Sequence, residues 1–235
     1  MEVYINNQKI DIKLENEKTV GEVLTALQIE AEKNSATITK ISVDDKIISA
    51  NEFDQEAKKE LNENTKISVQ MISTFDIDDS LKNVSELLFK SGKNLVEIPV
   101  LLQTNKNKDA DLFIKNFADC FDSFCQIVSF TALFPEKYSK FLIGENNINE
   151  FFKDFSPIVN ELYKAYESKD FVTVGDLCEY EISPRLLQIS NSVKEFLENT
   201  KWFLYALITL TNRRIFLNVE NCDDEILNLQ LAQKI

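Results

Sequence analysis

One long apolar stripe, in residues 184–217, constrains the fold of this chain more than any other feature. At alternating spacings of three and four residues, the stripe consists of Leu186, Ile189, Val193, Phe196, Thr200, Phe203, Leu207, Leu210, Arg214 and Leu217. Only Thr200 and Arg214 interrupt it. Because this spacing keeps side chains on one side of an α-helix, the stripe predicts a helix about 50 Å long. Other helices must cover such an apolar face, so we expect it to be the central helix of a bundle.

Two local features bear on where this helix begins and what covers it. Ser183 supplies a hydroxyl at the predicted N-cap, and Pro184 suits the first helical turn. The densest apolar part, residues 202–210, is shorter than the roughly 20 residues that cross a bilayer. A helix lying on a membrane is the alternative interpretation, but the polar face lacks the Lys and Arg enrichment typical of such helices.

The composition excludes several function classes. The formal charge of −13 argues against nucleic-acid and anionic-membrane surfaces, since both attract Lys and Arg. The sequence has no histidine, which rules out Ser-His-Asp and Cys-His catalysis and histidine-containing zinc and di-iron sites. A Gly-rich phosphate loop is also missing, so we expect no cofactor. The abundance of Lys, Asn and Ile is typical of a low-GC bacterial genome.

The cysteines and the N-terminus favour the cytoplasm. The four cysteines, Cys120, Cys125, Cys178 and Cys222, show neither a CxxC spacing nor a dense disulfide pattern. Reduced thiols of a cytoplasmic protein are therefore expected. Residues 1–4 show no basic segment followed by an apolar run, so a secretory signal is not predicted. We expect neither Cys120, on an apolar stripe, nor Cys178, among carboxylates, to be a nucleophile.

Residues 1–73 alternate between strand and helix patterns. Thr19 and Glu22 form a capping box for a helix, and Ser49 and Glu52 suggest a second one. The strands are predicted around Val3 and Ile5, around Ile10, Ile12 and Leu14, around Ile41 and Val43, at Ile47 and Ile48, and around Ile67, Val69 and Met71. The first helix is predicted to bury Val20, Val23, Leu24, Leu27 and Ala31. The second helix is predicted to carry Phe53, Ala57 and Leu61.

This order of elements resembles the β-grasp fold of ubiquitin-like domains, with a turn at residues 43–46 and a closing strand in residues 64–69. The resemblance implies a module that contacts other proteins. Conjugated members end in a free diglycine, whereas here the chain continues through residues 71–75 and contains no Gly-Gly, so conjugation is not expected. Ser42, Ser68 and Gln70 stand where ubiquitin has its apolar recognition patch, so a partner must be bound differently. A sheet that simply docks on its own helical neighbour is the alternative.

Residues 76–235 show only helical periodicity. The stripes begin at Ile77, Ala110 and Ile148, and Pro99, Pro135 and Pro157 are predicted to end or bend the helices. A shorter helix in residues 172–182 either continues into the long helix or folds back at Pro184. Residues 223–235 form either a last amphipathic helix or a frayed tail. The expected fold class is thus an α+β N-terminal β-grasp domain, residues 1–73, followed by an all-α helical bundle, residues 76–235.

The sequence offers one candidate site and one candidate ion pair. Asp176 and Glu179 share a helical face, so they could ligate a divalent metal such as Mg²⁺, Ca²⁺ or Mn²⁺, or act as an acid/base pair. A solvated acidic face, or carboxylates paired with arginine, is the alternative. Arg214 continues the apolar stripe, so we expect its guanidinium to form a structural ion pair inside the bundle. The partner is Asp176, Glu179 or Glu181 if the chain doubles back at Pro184, and Asp119 or Asp122 if the helices continue in line.

The function that these features favour is that of a non-catalytic bacterial protein that binds or scaffolds other proteins. We expect a protein partner of unspecified identity, no nucleic acid and no membrane insertion, and homo-oligomers are compatible with the sequence. The alternative is an enzyme or sensor that uses a carboxylate-only divalent metal site at Asp176 and Glu179.

Overall fold

The computed structural model describes residues 1–11 and 16–216, and the side chains among them as far as Thr200. An N-terminal mixed sheet is followed by a helical region, as the predicted α+β fold class requires, so this prediction is confirmed. The chain divides after Val193 into two units, and the packing described below lies within Met1–Val193. The predicted domain limits at residues 73 and 76 stay a prediction.

The N-terminal sheet has five strands in the order β2-β1-β5-β3-β4. Strands β1 and β5 are parallel, and the other neighbouring pairs are antiparallel. In chain order the elements are β1 (Glu2–Ile5), β2 (Gln8–Ile10), α1 (Val20–Lys33), β3 (Ala36–Val43), β4 (Lys46–Ile47), α2 (Phe53–Glu56) and β5 (Lys66–Ser73). The strand pattern from the sequence thus agrees with the observed strands, while Ile12 and Leu14 lie outside the described residues.

Helix α1 covers one face of this sheet and closes a small apolar core. The buried side chains of this core are Val3, Val20, Val23, Leu24, Leu27, Val43, Ile67 and Val69. Along β5 the buried Ile67 and Val69 alternate with Ser68 and Gln70, which is the period of two that a sheet with one covered face produces. The opposite face of the sheet is therefore polar.

The two predicted capping boxes have different outcomes. Thr19 accepts from the backbone N–H of Glu22, and the Glu22 carboxylate accepts in return from Thr19, so the first box is confirmed. The second prediction is wrong, because α2 has Glu52 as its N-cap residue and no side-chain cap. The Ser49 hydroxyl instead donates to the Glu52 carboxylate at 2.8 Å.

The helical region begins directly at the end of the sheet. A capping box of Ser73 and Asp76 starts its first helix. The helices are α3 (Thr74–Leu95), α4 (Ile98–Gln103), α5 (Asn107–Thr131), α6 (Pro135–Tyr138), α7 (Ile148–Glu167), α8 (Phe171–Asp176) and α9 (Ser183–Phe216). A short hairpin of β6 (Leu142–Ile143) and β7 (Asn146–Asn147) interrupts them. Pro99 and Pro135 lie in the first turns of α4 and α6, whereas Pro157 lies inside α7.

Apolar and aromatic side chains fill the space between the helices. Helix α3 buries its predicted stripe, including Ile77, Leu81, Leu88 and Leu95. Between α5 and α7 the rings pack against one another, and Phe121 meets Phe155 edge to face with centroids 5.1 Å apart. The other rings of this cluster are Phe117, Phe124, Phe151 and Phe152. The phenylalanines of this cluster therefore serve the core.

The chain does not fold back at Pro184. Helix α8 passes through a π-helical stretch, Leu177–Ile182, straight into α9. Ser183 has helical backbone angles and donates its hydroxyl to the carbonyl of Gly92 at 2.8 Å, so the predicted N-cap at Ser183 is wrong. Because proline lacks an N–H and its ring crowds the carbonyl four residues before it, the wider π turn lets the helix continue through Pro184.

Candidate interaction surface

The face of the N-terminal sheet opposite its apolar core is a candidate interaction surface. Side chains alternate between the two faces of the sheet along each strand. The residues next to the core residues in sequence therefore point to the opposite, uncovered face. Across the strands, Tyr4 pairs with Lys9 and with Ser68, and Ser42 pairs with Ser68 and with Ile47. We call the outer sheet face the set formed by Glu2, Tyr4, Lys9, Lys40, Ser42, Ile47, Lys66, Ser68 and Gln70.

Tyr4 lies at the centre of an ordered polar network on this face. Its hydroxyl donates to Glu2 Oε2 at 2.9 Å, and the Lys9 ammonium donates to Glu2 Oε1 at 2.5 Å. The Lys66 ammonium lies 5.3 Å from the centroid of the Tyr4 ring and 2.7 Å from Asp45 Oδ1. The cation–π contact and the hydrogen bonds hold both lysines beside the ring. The aromatic ring and the two cations therefore form one preorganised surface.

The ionisation of this network follows from its hydrogen bonds. The ammonium of Lys9 and, secondly, the hydroxyl of Tyr4 lower the pKa of Glu2. In return the Glu2 carboxylate raises the pKa of Lys9, and Asp45 raises the pKa of Lys66. Near neutral pH Glu2, Lys9 and Lys66 are therefore charged.

The outer sheet face carries an excess of cations, although the chain as a whole has a formal charge of −13. Lys9, Lys40 and Lys66 lie on it, while Glu2 pairs with Lys9 and Asp45 pairs with Lys66, so the lysines exceed the carboxylates by one. Lys40 is exposed and has no ion-pair partner among the side chains that the structure describes. The predicted polar positions Ser42, Ser68 and Gln70 lie between these lysines. A partner surface that carries carboxylates matches this arrangement.

The predicted metal ligands lie in the helical region. Asp176 ends α8 and is exposed, and Glu179 lies in the π-helical stretch and is half-buried. A hydrogen bond to Glu179 raises the pKa of Tyr180. Among residues 1–11 and 16–200, no three or more carboxylates or thiols come together as a metal site. Metal binding by Asp176 and Glu179 stays a prediction.

Glu181, an acidic residue of the same π-helical stretch, forms an ion pair with an arginine. The Glu181 carboxylate pairs with Arg185 one turn later at 2.6 Å, and the Arg185 guanidinium also donates to the Glu181 carbonyl.

The side chain of Arg214 lies outside the described residues, so its predicted ion pair stays a prediction. Asp119 and Asp122, its candidate partners, are both exposed on α5.

The three described cysteines are free thiols, and burial controls their ionisation. Burial raises the pKa of Cys178 to about 12 and of Cys125 to about 11, and it also raises the pKa of Cys120. The sequence attributed the weak acidity of Cys178 to neighbouring carboxylates, whereas the structure attributes it to desolvation. Cys222 lies outside the described residues.

Comparison with known proteins gives matches along both parts of the chain. Residues 1–73 match the family described as the TP0873 N-terminal domain, and residues 79–192 match a domain of unknown function, DUF8042. A protein of Treponema pallidum (strain Nichols), described as uncharacterized, is 25% identical over 193 residues, or 82% of this chain and 96% of that protein. Comparison with solved structures gives no significant match. The matched descriptions state no activity.

In the described part of the chain, no helix combines the length and apolar character that crossing a membrane requires.

Proposed function

We propose that this chain is a non-catalytic bacterial protein that binds or scaffolds other proteins, built from a ubiquitin-like β-grasp module joined to a helical bundle. The strand order β2-β1-β5-β3-β4, with α1 on one face, supports the β-grasp assignment, since ubiquitin-like domains share this order. The module lacks a diglycine end, so it acts by binding and not by conjugation.

One observation carries the proposal: the outer sheet face is uncovered, ordered and locally basic. Its central tyrosine is held by hydrogen bonds and a cation–π contact, so little side-chain entropy is lost when a partner binds. Tyrosine is also a residue type enriched in protein interfaces. We therefore propose that this face binds a partner protein through carboxylates placed opposite Lys9, Lys40 and Lys66. The proposal includes a cytosolic location, which the pattern of free thiols supports.

Affinity capture with matched charge variants tests this function. The full chain, immobilised, is exposed to an extract of the cells from which it comes, and the captured proteins are compared with those on Lys40→Glu. Lys58→Glu is the control, because Lys58 is also exposed and lies away from the outer sheet face. We expect Lys40→Glu to weaken capture of a partner about fivefold or more, as loss of a roughly 1 kcal/mol charge contact predicts. Equal capture by both variants would contradict the proposal.

A second candidate is an enzyme or sensor with a carboxylate metal site at Asp176 and Glu179. The observation in its favour is the π-helical stretch that holds Glu179, since such distortions occur frequently at functional sites. Thermal unfolding with and without Mg²⁺, Ca²⁺ or Mn²⁺ separates the two candidates. Strong stabilisation by one ion, lost in Glu179→Gln, favours the metal site.

A further inference from the structure

A second concave surface lies on the opposite side of the N-terminal sheet, between helices α1 and α2. The two helices touch at one end, where the Gly21 N–H donates to the Ala57 carbonyl at 2.9 Å. A side chain at Gly21 would collide with Ala57, since its Cβ would lie 2.9 Å from the Ala57 carbonyl oxygen. From this contact a groove of about 620 Å³ opens, and we call it the α1–α2 groove.

Both helices contribute apolar side chains to the lining of the α1–α2 groove. Ala26 and Ile29 line it from α1, and Phe53 lines it from α2. Ile29 is 51% exposed and Phe53 is 37% exposed. Single exposed apolar side chains are ordinary on protein surfaces. Here two large ones line the same concavity, so an apolar side chain inserted between them would remove both from water.

The charged groups that line the α1–α2 groove are both carboxylates, those of Glu17 and Glu22. Glu22 is fixed in place because it caps α1. The backbone N–H groups of Lys18 and, secondly, Thr19 lower the pKa of Glu22, which keeps it ionised near neutral pH. The lining of the groove thus combines apolar side chains with negative charge. The formal charge of −13 adds a long-range attraction for cations.

We propose that the α1–α2 groove binds a basic amphipathic segment of a partner protein. An apolar side chain of that segment lies between Ile29 and Phe53, and its Lys or Arg side chains face Glu17 and Glu22. A second copy of this chain is disfavoured as the occupant, because two copies repel each other through their net charge. The groove is separate from the outer sheet face and has the opposite charge, so the chain would bind two chemically different partners.

The test uses a phage-displayed library of random dodecapeptides, selected on the immobilised full chain. We expect the selected peptides to be enriched in Lys and Arg around an aromatic or branched apolar residue. The affinity of a synthesised peptide, measured by fluorescence anisotropy, should fall about tenfold or more with Ile29→Ala and with Glu17→Lys. It should also fall in about 0.5 M salt, because the charges of Glu17 and Glu22 are screened.

The matched control is Leu87→Ala, since Leu87 on α3 is also 51% exposed and lies outside the groove. Lys40→Glu tests the outer sheet face separately and should leave peptide binding unchanged or slightly stronger. Thermal melts show whether each variant is folded, and Glu17→Lys replaces Ile29→Ala if the latter is not. Peptides without basic enrichment, or equal binding to Ile29→Ala and Leu87→Ala, overturn the inference. Dimerisation of the chain that Ile29→Ala abolishes also overturns it, because the occupant is then a second copy.

Discussion

The hydroxyl of Tyr138 joins the start of the helical region to its middle, so removing it should measurably weaken the fold. Tyr138 lies in α6 and is 4% exposed. Its hydroxyl donates to Asp78 Oδ1 at 2.8 Å and lies 3.1 Å from the Thr74 carbonyl oxygen. The Lys137 ammonium contacts the other carboxylate oxygen of Asp78 at 2.5 Å. Tyr138→Phe removes the hydroxyl and leaves the ring, so it isolates this hydrogen bond.

The magnitude follows from the charge and burial of the pair. A hydrogen bond to a charged group contributes about 1.5–3 kcal/mol. Asp78 keeps its contact with Lys137 in the variant, so the carboxylate is not left unpaired and the loss should be about 2 kcal/mol. With a urea m-value of about 3 kcal/mol/M, the unfolding midpoint should fall by about 0.7 M.

Tyr163→Phe is the matched control. Tyr163 on α7 also donates its hydroxyl to a carboxylate, that of Glu167 at 2.5 Å, but the residue is 61% exposed. Water replaces an exposed hydrogen bond, so its urea midpoint should equal that of the wild type. Urea unfolding followed by circular dichroism compares the three proteins. Equal midpoints for Tyr138→Phe and Tyr163→Phe would refute the argument that burial makes the Tyr138 bond valuable.

Tyr138 should also make the stability of the folded protein depend on pH in the alkaline range. Burial first, and then the hydrogen bond to Asp78, raise the pKa of Tyr138 above its usual range. In the unfolded chain tyrosine loses its proton at about pH 10. Above that pH the unfolded state binds fewer protons than the folded state, so stability falls as pH rises. Between about pH 10 and 11 the wild type should therefore lose stability faster than Tyr138→Phe.

Three further predictions have simple measurements. Iodoacetamide at about pH 8 should modify neither Cys120 nor Cys178 in the folded protein, because burial disfavours both thiolates; rapid alkylation with loss of binding would contradict this. Residues 1–73 hold a complete apolar core, so we expect them to fold alone and give dispersed amide resonances, whereas a collapsed spectrum would count against the β-grasp assignment. Arg214→Ala should destabilise more than Arg213→Ala, by roughly 2 kcal/mol or more if the ion pair is buried, and comparable urea midpoints would show a solvated Arg214.

Local sequence signals predicted the sheet and the first helix well. Alternation in β5 and the capping box at Thr19 involve neighbours in sequence, and their geometry follows from the backbone alone. The hydroxyls of Ser49 and Ser183 gave similar signals, but the helix caps that they predicted are wrong. An N-cap requires the chain to enter the helix in an extended conformation, but Ser183 has φ −52° and ψ −50°. Whether the preceding chain is extended or helical is decided by packing, which a local pattern does not contain.

The π-helical stretch shows the same limit. Leu177–Ile182 inserts wider turns into one continuous helix, which lets Pro184 follow without a break. The sequence left open whether the chain folds back there. The close packing of α9 against α3 decides between the two possibilities, because a Cβ at Gly92 would lie 3.3 Å from both Leu187 and the Ser183 carbonyl oxygen. A glycine that is ninety-one positions away from Ser183 is not a signal that periodicity can detect.

The two candidate surfaces also differ in how well the sequence predicts them. The outer sheet face follows from strand alternation, which places Lys9, Lys40 and Lys66 on the side opposite the core once the register is known. The α1–α2 groove does not, because the sequence predicts a small helix that carries Phe53, Ala57 and Leu61 together. That helix ends after one turn, at Glu56, and one turn is too short to bury a full face, so Phe53 stays exposed beside Ile29. The groove therefore depends on where α2 ends, because Ala57, the residue after Glu56, accepts the Gly21 N–H that joins the two helices.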